Sequence, residues 1–534
     1  MALILLLAVP LLTGTGLIVA GRRFSRYAAA WVALTAAALT AGAAGVVARQ
    51  RPTVDAAWLP EVGVRLRLRV DGISIPLVLL TAVIGVLVTA LATGYVPGGG
   101  SPGTYAGCLL LVEGGALATF VAGDALLFFV AFELVLVPMW VLITRFGDPH
   151  DARARADAGQ RFVLYTGAGS TLMLAGILLL VTWAGTSDLS ALVAAGAGLP
   201  VGRQLTVALL LTVGLAVKVP VWPLHTWLPS AHTAAPTGGS VLLAAILLKM
   251  GTYGLIRLPF SVVPEGFVRI SPWLAIAGGL GILWGSLVCL VERDLKRLIA
   301  YSSVAHMGFV IIAMASNTEA GLQAALIGNL AHGVISALLF VVVGGLKERW
   351  GSVDLDRSWP ALREVAPHRG FALILGLAAA LGLPGLAGFW GEFLAVLAAW
   401  HPADPMRIVV FRTVAVLAAV GGVLAAGYCL RVARLLWAGD APTETSAPAD
   451  AKGGARLDAA AGAGLDSETA APLDSEAGGR LGSETVAPLD VETRGAERFV
   501  AGVLALLIIT LGVAPWLVLD ITHPAVLALL GGLP

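Results

Sequence analysis

Charge is scarce in this chain. Only 13% of its 534 residues are Asp, Glu, Lys or Arg, against 58% hydrophobic, and the mean hydropathy is +0.89. That balance excludes a soluble globular protein and implies an all-α polytopic membrane protein held in a lipid bilayer. The formal net charge of +1 leaves no basic stripe to neutralise phosphates, so nucleic acid is excluded as a partner. Cysteine is nearly missing. Cys108, Cys289 and Cys429 lie far apart, each within an apolar segment, and form neither a disulfide framework nor a zinc or iron–sulfur spacing. No metal or cofactor is expected in the chain itself.

Lysine is scarcer still. Of the 34 basic residues only five are lysines, and two of these, Lys218 and Lys249, fall deep inside long apolar runs. A desolvated ammonium can give up its proton near neutral pH, whereas a guanidinium stays charged under any protein condition. A GC-rich genome would account for the arginine bias but not for lysines kept at membrane depth, and we read them as proton-handling groups.

A bilayer core of roughly 30 Å needs about 20 apolar residues per crossing. On that scale fourteen spans begin near residues 2, 27, 73, 104, 125, 160, 204, 236, 271, 298, 320, 371, 408 and 497. The first run lacks a preceding positive charge and is followed by Arg22, Arg23 and Arg26, the pattern of an anchor with its N-terminus outside rather than a cleaved signal. Arg145 to Arg161, Glu292 to Arg297, Lys347 to Arg369 and Arg431 onward then fall inside, as the positive-inside rule requires. The exception is Arg49 to Arg69. There Val64-Arg65-Leu66-Arg67-Leu68-Arg69-Val70 alternates with the period of a strand, which predicts a surface hairpin. Residues 440–494 carry eleven acidic against four basic residues and repeat Leu465-Asp466-Ser467-Glu468-Thr469 as Leu481-Gly482-Ser483-Glu484-Thr485. This composition predicts a disordered cytoplasmic insertion.

Two spans are interrupted. Val219-Pro220-Val221-Trp222-Pro223 breaks the seventh beside Lys218, and Leu383-Pro384-Gly385-Leu386-Ala387-Gly388 breaks the twelfth beside Glu392. Freed backbone groups at membrane depth need protein or water around them, so the breaks predict an internal hydrated site. An offset of five helices reverses direction across the membrane. It predicts two inverted five-helix repeats, spans 4–8 and 9–13, and an organisation of 1–95 (first three helices), 104–260, 271–438, the insertion, and a last helix at 497–520.

The ionisable residues within these spans are Glu133, Lys218, Lys249, His306, His332 and Glu392, with His225 in the seventh-span break. Lys249 lies about 13 residues into its run, roughly 20 Å along a helix and close to mid-membrane. Every one of these groups titrates, as a proton relay requires. The duller alternatives are buried salt bridges for the acids and lysines, and hydrogen-bonded structural roles for the histidines. Glu113 stands between a structural and a functional role, and Asp124 reads as a helix-start cap. Charged groups at bilayer depth are costly and usually mark ion pathways.

Several motifs then carry a resemblance. Phe128-Phe129-Val130-Ala131-Phe132-Glu133 through Pro138-Met139, Lys218-Val219-Pro220-Val221-Trp222-Pro223-Leu224-His225-Thr226-Trp227-Leu228-Pro229-Ser230-Ala231-His232, Ala235-Pro236-Thr237-Gly238-Gly239-Ser240-Val241, Leu247-Leu248-Lys249, Asp294-Leu295-Lys296-Arg297-Leu298-Ile299-Ala300-Tyr301-Ser302-Ser303 and Gly382-Leu383-Pro384-Gly385 to Gly391-Glu392 resemble the antiporter-like subunits of respiratory complex I. The likeness runs from about residue 70 to 437. A Glu in the broken twelfth helix resembles chain M, since the sister chains L and N and sodium/proton antiporter subunits typically carry Lys there. The acidic insertion departs from the family pattern.

The resemblance implies a proton-translocating membrane-arm subunit of NADH:quinone oxidoreductase in a bacterial inner membrane, with chains L and N as neighbours. NADH, FMN, iron–sulfur clusters and quinone would belong to other subunits. It implies that Glu133 and Lys218 form a modulating pair, that Lys249 is the central carrier, and that Glu392 is the exit-side or coupling residue. Two unit charges about 7 Å apart at an effective dielectric near 20 interact by about 2.4 kcal/mol, and moving one charge across about 100 mV takes about 2.3 kcal/mol. Such a pair can therefore gate. The alternatives are a subunit of a multisubunit sodium/proton antiporter or membrane-bound hydrogenase, and a non-pumping scaffold.

Overall fold

The computed structural model describes residues 1–59, 64–439 and 495–531. The expected acidic insertion, 440–494, lies outside the described residues. Helices α1 (Ala2–Ala20) and α2 (Arg26–Gln50) precede a hairpin of β1 (Val54–Leu59) and β2 (Val64–Leu68). These strands pair antiparallel, with Val54 opposite Leu68, where the alternating arginines predict them. Arg65 and Arg67 reach Asp55 on the partner strand, and Arg67 also reaches Asp188 at 3.1 Å.

Helices α3 (Ser74–Gly94), α4 (Pro102–Val121), α5 (Ala125–Leu134), α6 (Leu136–Phe146), α7 (Ala152–Ala184), the short α8 (Leu189–Ala197) and α9 (Val201–Lys218) follow. Asp124 caps α5, accepting from the Leu126 and Leu127 amides, as its place before the apolar run predicts. The α5–α6 interruption at Val135 has its cause three residues on. Pro138 has no amide to donate and its ring crowds the carbonyl of Leu134, so the ladder cannot run through.

The chain continues with α10 (Trp227–Ala234), α11 (Thr237–Leu242), α12 (Leu248–Leu255), α13 (Pro264–Val291), α14 (Leu295–Ala315), α15 (Glu319–Trp350) and the single turn α16 (Leu362–Val365). Next come α17 (Pro367–Ala380), α18 (Ala387–Trp400), α19 (Ile408–Val432), α20 (Gly495–Val513) and α21 (Trp516–Leu530). Among the described residues thirteen helices are long and apolar enough to cross a membrane. The remaining expected span, the twelfth, starting near 371, consists of the two halves α17 and α18, neither long enough alone. The last segment differs from the single helix expected at 497–520: Ala514-Pro515 ends α20, and α21 follows.

Both predicted breaks are present, and each has its backbone groups met by side chains. At the end of α9 the Val217 carbonyl accepts from the Trp227 indole at 2.9 Å. At the end of α17 the Ala380 carbonyl faces His306 Nε2 at 2.9 Å. Gly382 and Gly385 turn the chain between α17 and α18 with φ of 70° and 87°, values open to glycine at little cost. Gly388 then lets α18 return against α17, because a Cβ there would come within 2.1 Å of the Ala379 carbonyl oxygen.

Candidate functional site

The site grows from an irregularity in the eighth span. Between α11 and α12, Leu243–Leu247 form a π turn, a feature frequent at functional positions. Two residues later Lys249, completely buried, donates from Nζ to the Ala244 carbonyl at 2.5 Å. The same nitrogen lies 2.5 Å from His332 Nδ1. Gly333 lets α15 approach the π turn closely, since a Cβ there would come within 2.9 Å of Leu80 Cδ2 and 3.3 Å of the Ala245 carbonyl oxygen. Thr252, one turn along α12, donates to Asn329 Oδ1 and locks α12 against α15 at 2.9 Å.

From His332 the polar path continues. Its ring centre stands 5.8 Å from that of His306, and His306 Nε2 lies 3.4 Å from Glu392 Oε1. A cavity of about 30 Å³ touches all three, with Ser302, Ser303 and Ser336 on its wall. That is room for about one water. His306 Nδ1 also faces the Ser302 carbonyl at 2.6 Å while Nε2 faces that of Ala380 at 2.9 Å. A neutral imidazole donates from one nitrogen only, so both contacts are satisfied as hydrogen bonds only by the doubly protonated ring. When the ring takes up its second proton, a Glu392 carboxylate 3.4 Å away stands beside it to balance the charge.

The other expected residues are arranged differently. Glu133 accepts a hydrogen bond from Ser170 rather than an ion pair from Lys218. The buried Lys218 ammonium stands over the rings of Phe132 at 5.0 Å and Phe162 at 5.7 Å, a cation–π setting, while remaining within electrostatic reach of Glu133. His225 lies buried in the α9–α10 break, its ring 6.3 Å from that of Tyr301, with no partner for Nδ1. No hydrogen bond joins it to either lysine. Glu113 is buried against Gly85, and neither of its carboxylate oxygens has a partner.

A rule separates the two cation types. The most deeply buried ion-paired arginine, Arg369, holds Glu497 at 2.7 Å, and Arg257 holds Asp71. Lys218 and Lys249 sit in equally dry places, but among the described residues neither has a carboxylate in an ion pair. A permanent charge needs a counter-charge when desolvated, whereas an amine can shed its proton.

The fold and this line of titratable groups define a class, an antiporter-like membrane protein with broken helices around a buried polar line. Residues 122–418 match the family described as NADH:quinone oxidoreductase/Mrp antiporter, TM, and the chain belongs to that family. It is 38% identical over 384 residues to NAD(P)H-quinone oxidoreductase chain 4 1 of Synechococcus sp. (strain JA-3-3Ab), covering 72% of this chain and 71% of that one. Against NADH-quinone oxidoreductase subunit M of Rickettsia felis the identity is 36% over 393 residues, covering 72% and 75%. A chain of respiratory complex I from Thermus thermophilus with bound NADH superposes with a TM-score of 0.80 at 27% identity over the full length of both. A chain of the Mrp complex from Dietzia sp. DQ12-45-1b gives 0.79 at 25% identity, covering all of this chain and 52% of that one.

Proposed function

We propose that this chain is the proton-conducting subunit M of the membrane arm of a bacterial NADH:quinone oxidoreductase, and that Lys249, His332, His306 and Glu392 are its central relay. The observation that carries the reading is their continuity: each group is adjacent to the next or shares one water-sized cavity with it. In this reading a proton held on Lys249 passes to His332, then to His306, and leaves through Glu392. Lys218 sets the affinity of the relay for its proton. Glu133 acts on Lys218 through space, so a small shift of either changes their interaction without making or breaking a contact. The His225 ring, unpartnered at one nitrogen, lies in the break that follows Lys218 and is a further proton-handling group of this reading.

Electron transfer from NADH to quinone takes place in partner subunits, which hold the FMN, iron–sulfur clusters and quinone. Neighbouring antiporter-like chains L and N flank this one in the inner membrane. The arginine-rich loops support an N-terminus on the outside, and the breaks five helices apart support the two inverted repeats. The test is Lys249→Met in the assembled complex. Protons moved per NADH oxidised should fall by one channel's share, and an unchanged ratio would refute the carrier role.

A second reading, an Mrp-type sodium/proton antiporter subunit, is favoured by the likeness to the Dietzia chain. Affinity purification separates the two. Recovery with a flavin and iron–sulfur NADH-oxidising module supports the first; recovery with small membrane partners alone supports the second.

A further inference from the structure

Three helices have an end on the same arginine-rich side of the molecule: α15 finishes at Trp350, α17 starts at Pro367 and α20 starts at Gly495. Between them runs a groove of about 470 Å³, too large and too apolar to be a water site. Val341 and Val342 of α15, both 3% exposed, line it with Ala372 of α17, and Ala501, Gly502 and Ala505 line it along α20. From Arg498 to Ala505 it extends about 10 Å along that helix, at 1.5 Å per residue. The small side chains leave it open. A Cβ built on Gly502 would meet nothing within 4 Å, so this glycine serves no close helix contact.

The mouth of the groove is charged. His368 and Arg498 stand exposed there, and behind them Arg349 and Arg369 share one oxygen of Glu497, at 3.0 and 2.7 Å. Glu348, also within electrostatic reach of Arg369, lines a different cavity and accepts from Thr237 at 2.9 Å. Three arginines thus stand against two carboxylates, which leaves one positive charge in excess. The start of α17 lies at the same place with no side chain capping it, and the amides of its first turn add to the positive potential.

We propose that this groove binds one anionic phospholipid, with its phosphate on Arg498 and His368 and one acyl chain laid between α15, α17 and α20. An apolar channel with an excess of guanidinium at its mouth matches both ends of such a lipid. A peptide would need partners for its backbone groups, and walls of valine, alanine and glycine side chains supply none. The bound chain fills the space beside α17, the 14-residue half of the broken span, and holds it against its neighbours. The other half, α18, carries Glu392.

The test uses the assembled complex in detergent, washed free of loosely held lipid. Mass spectrometry counts the lipid retained per complex, and thermal release of this chain is followed after adding back phosphatidylglycerol, phosphatidylcholine or inorganic phosphate. Wild type should keep one more anionic lipid than Gly502→Leu, whose side chain fills the groove, while Gly502→Ala, too short to fill it, keeps the wild-type count. Phosphatidylglycerol should raise the release midpoint of wild type more than phosphatidylcholine does, and phosphate should not raise it. Arg498→Gln should cut the preference for phosphatidylglycerol by about fivefold, the effect of one basic residue beside an anionic lipid. Equal retention in wild type and Gly502→Leu would overturn the proposal, and so would an undiminished preference in Arg498→Gln. A full response to phosphate alone would make this a free-anion site and overturn it as well. Failure of Gly502→Leu to assemble, with the wild-type preference kept in Arg498→Gln, would give the groove to a neighbouring chain and sink the lipid.

Discussion

Lys249 Nζ and His332 Nδ1 lie 2.5 Å apart, although 83 residues separate them along the chain. The contact exists because a π turn sets the lysine against its own helix's Ala244 carbonyl and Gly333 lets α15 pack close to the Ala245 carbonyl. A proton shared across such a short gap needs no large motion to change owners, and the predictions below start from it.

Lys249→Arg should be as damaging to pumping as Lys249→Met. Arginine keeps the charge but holds its proton permanently, and its larger planar head must enter a fully buried site. Proton uptake by vesicles during NADH oxidation checks this; normal pumping in the arginine variant would show that charge, not titration, is what position 249 supplies.

Glu392→Asp should reduce turnover less than Glu392→Gln. The shorter side chain keeps the carboxylate but opens the 3.4 Å gap to His306 by about 1.5 Å, one carbon–carbon bond. The amide removes the charge that balances the His306 ring. Steady-state NADH:quinone activity with pumping ratios orders the three proteins, and equal rates would detach Glu392 from the relay.

Lys218→Arg should slow turnover despite conserving charge and the aromatic surroundings. A guanidinium can stack on Phe132 and Phe162, so assembly should be retained. Full activity would mean that the lysine serves only as a fixed cation.

Trp227→Phe should destabilise the broken seventh span by about 1–3 kcal/mol, the cost of leaving one buried carbonyl unmet. The indole is the group that satisfies Val217. Thermal unfolding of the purified complex, followed by release of this chain, measures the loss. An unchanged midpoint would mean that water replaces the indole.

Asp71→Asn gives the pH test. Burial pushes the Asp71 carboxyl up, but the charge of Arg257 and its hydrogen bond pull it down further, leaving it below the usual 3.8. A group depressed on folding stabilises the protein above its unfolded value, and the benefit is lost as the pH falls through the folded one. The wild-type advantage over Asp71→Asn should therefore be constant near neutral pH and shrink once the pH drops below 3.8. An advantage that grew on acidification would contradict the pairing with Arg257.

Much of the fold was legible in the sequence because hydrophobic length and proline chemistry act locally. Thirteen of the fourteen expected spans have a helical segment long and apolar enough to cross a membrane, the twelfth is split at its Leu383-Pro384-Gly385 signal, and most of the arginine alternation, Val64–Leu68, is a strand. The last segment was misread because Ala514-Pro515 sits inside an otherwise apolar run. Asp124 was readable as a cap from its position alone.

The site was legible only as an inventory. Residue types and apolar surroundings single out Glu133, Lys218, Lys249, His306, His332 and Glu392, because desolvating a titratable group is costly wherever its partner lies. Which groups touch was not readable, since contact depends on helix packing between segments far apart in the chain. Only the tertiary structure puts His332 on Lys249 and His306 on Glu392. It also seats the Lys218 ammonium over the rings of Phe132 and Phe162, and the π turn before Lys249 leaves no mark in local composition. Lys296 shows the division most clearly. Its sequence neighbours are loop charges, and it is the docking of α14 against the α10–α11 joint that removes it from water.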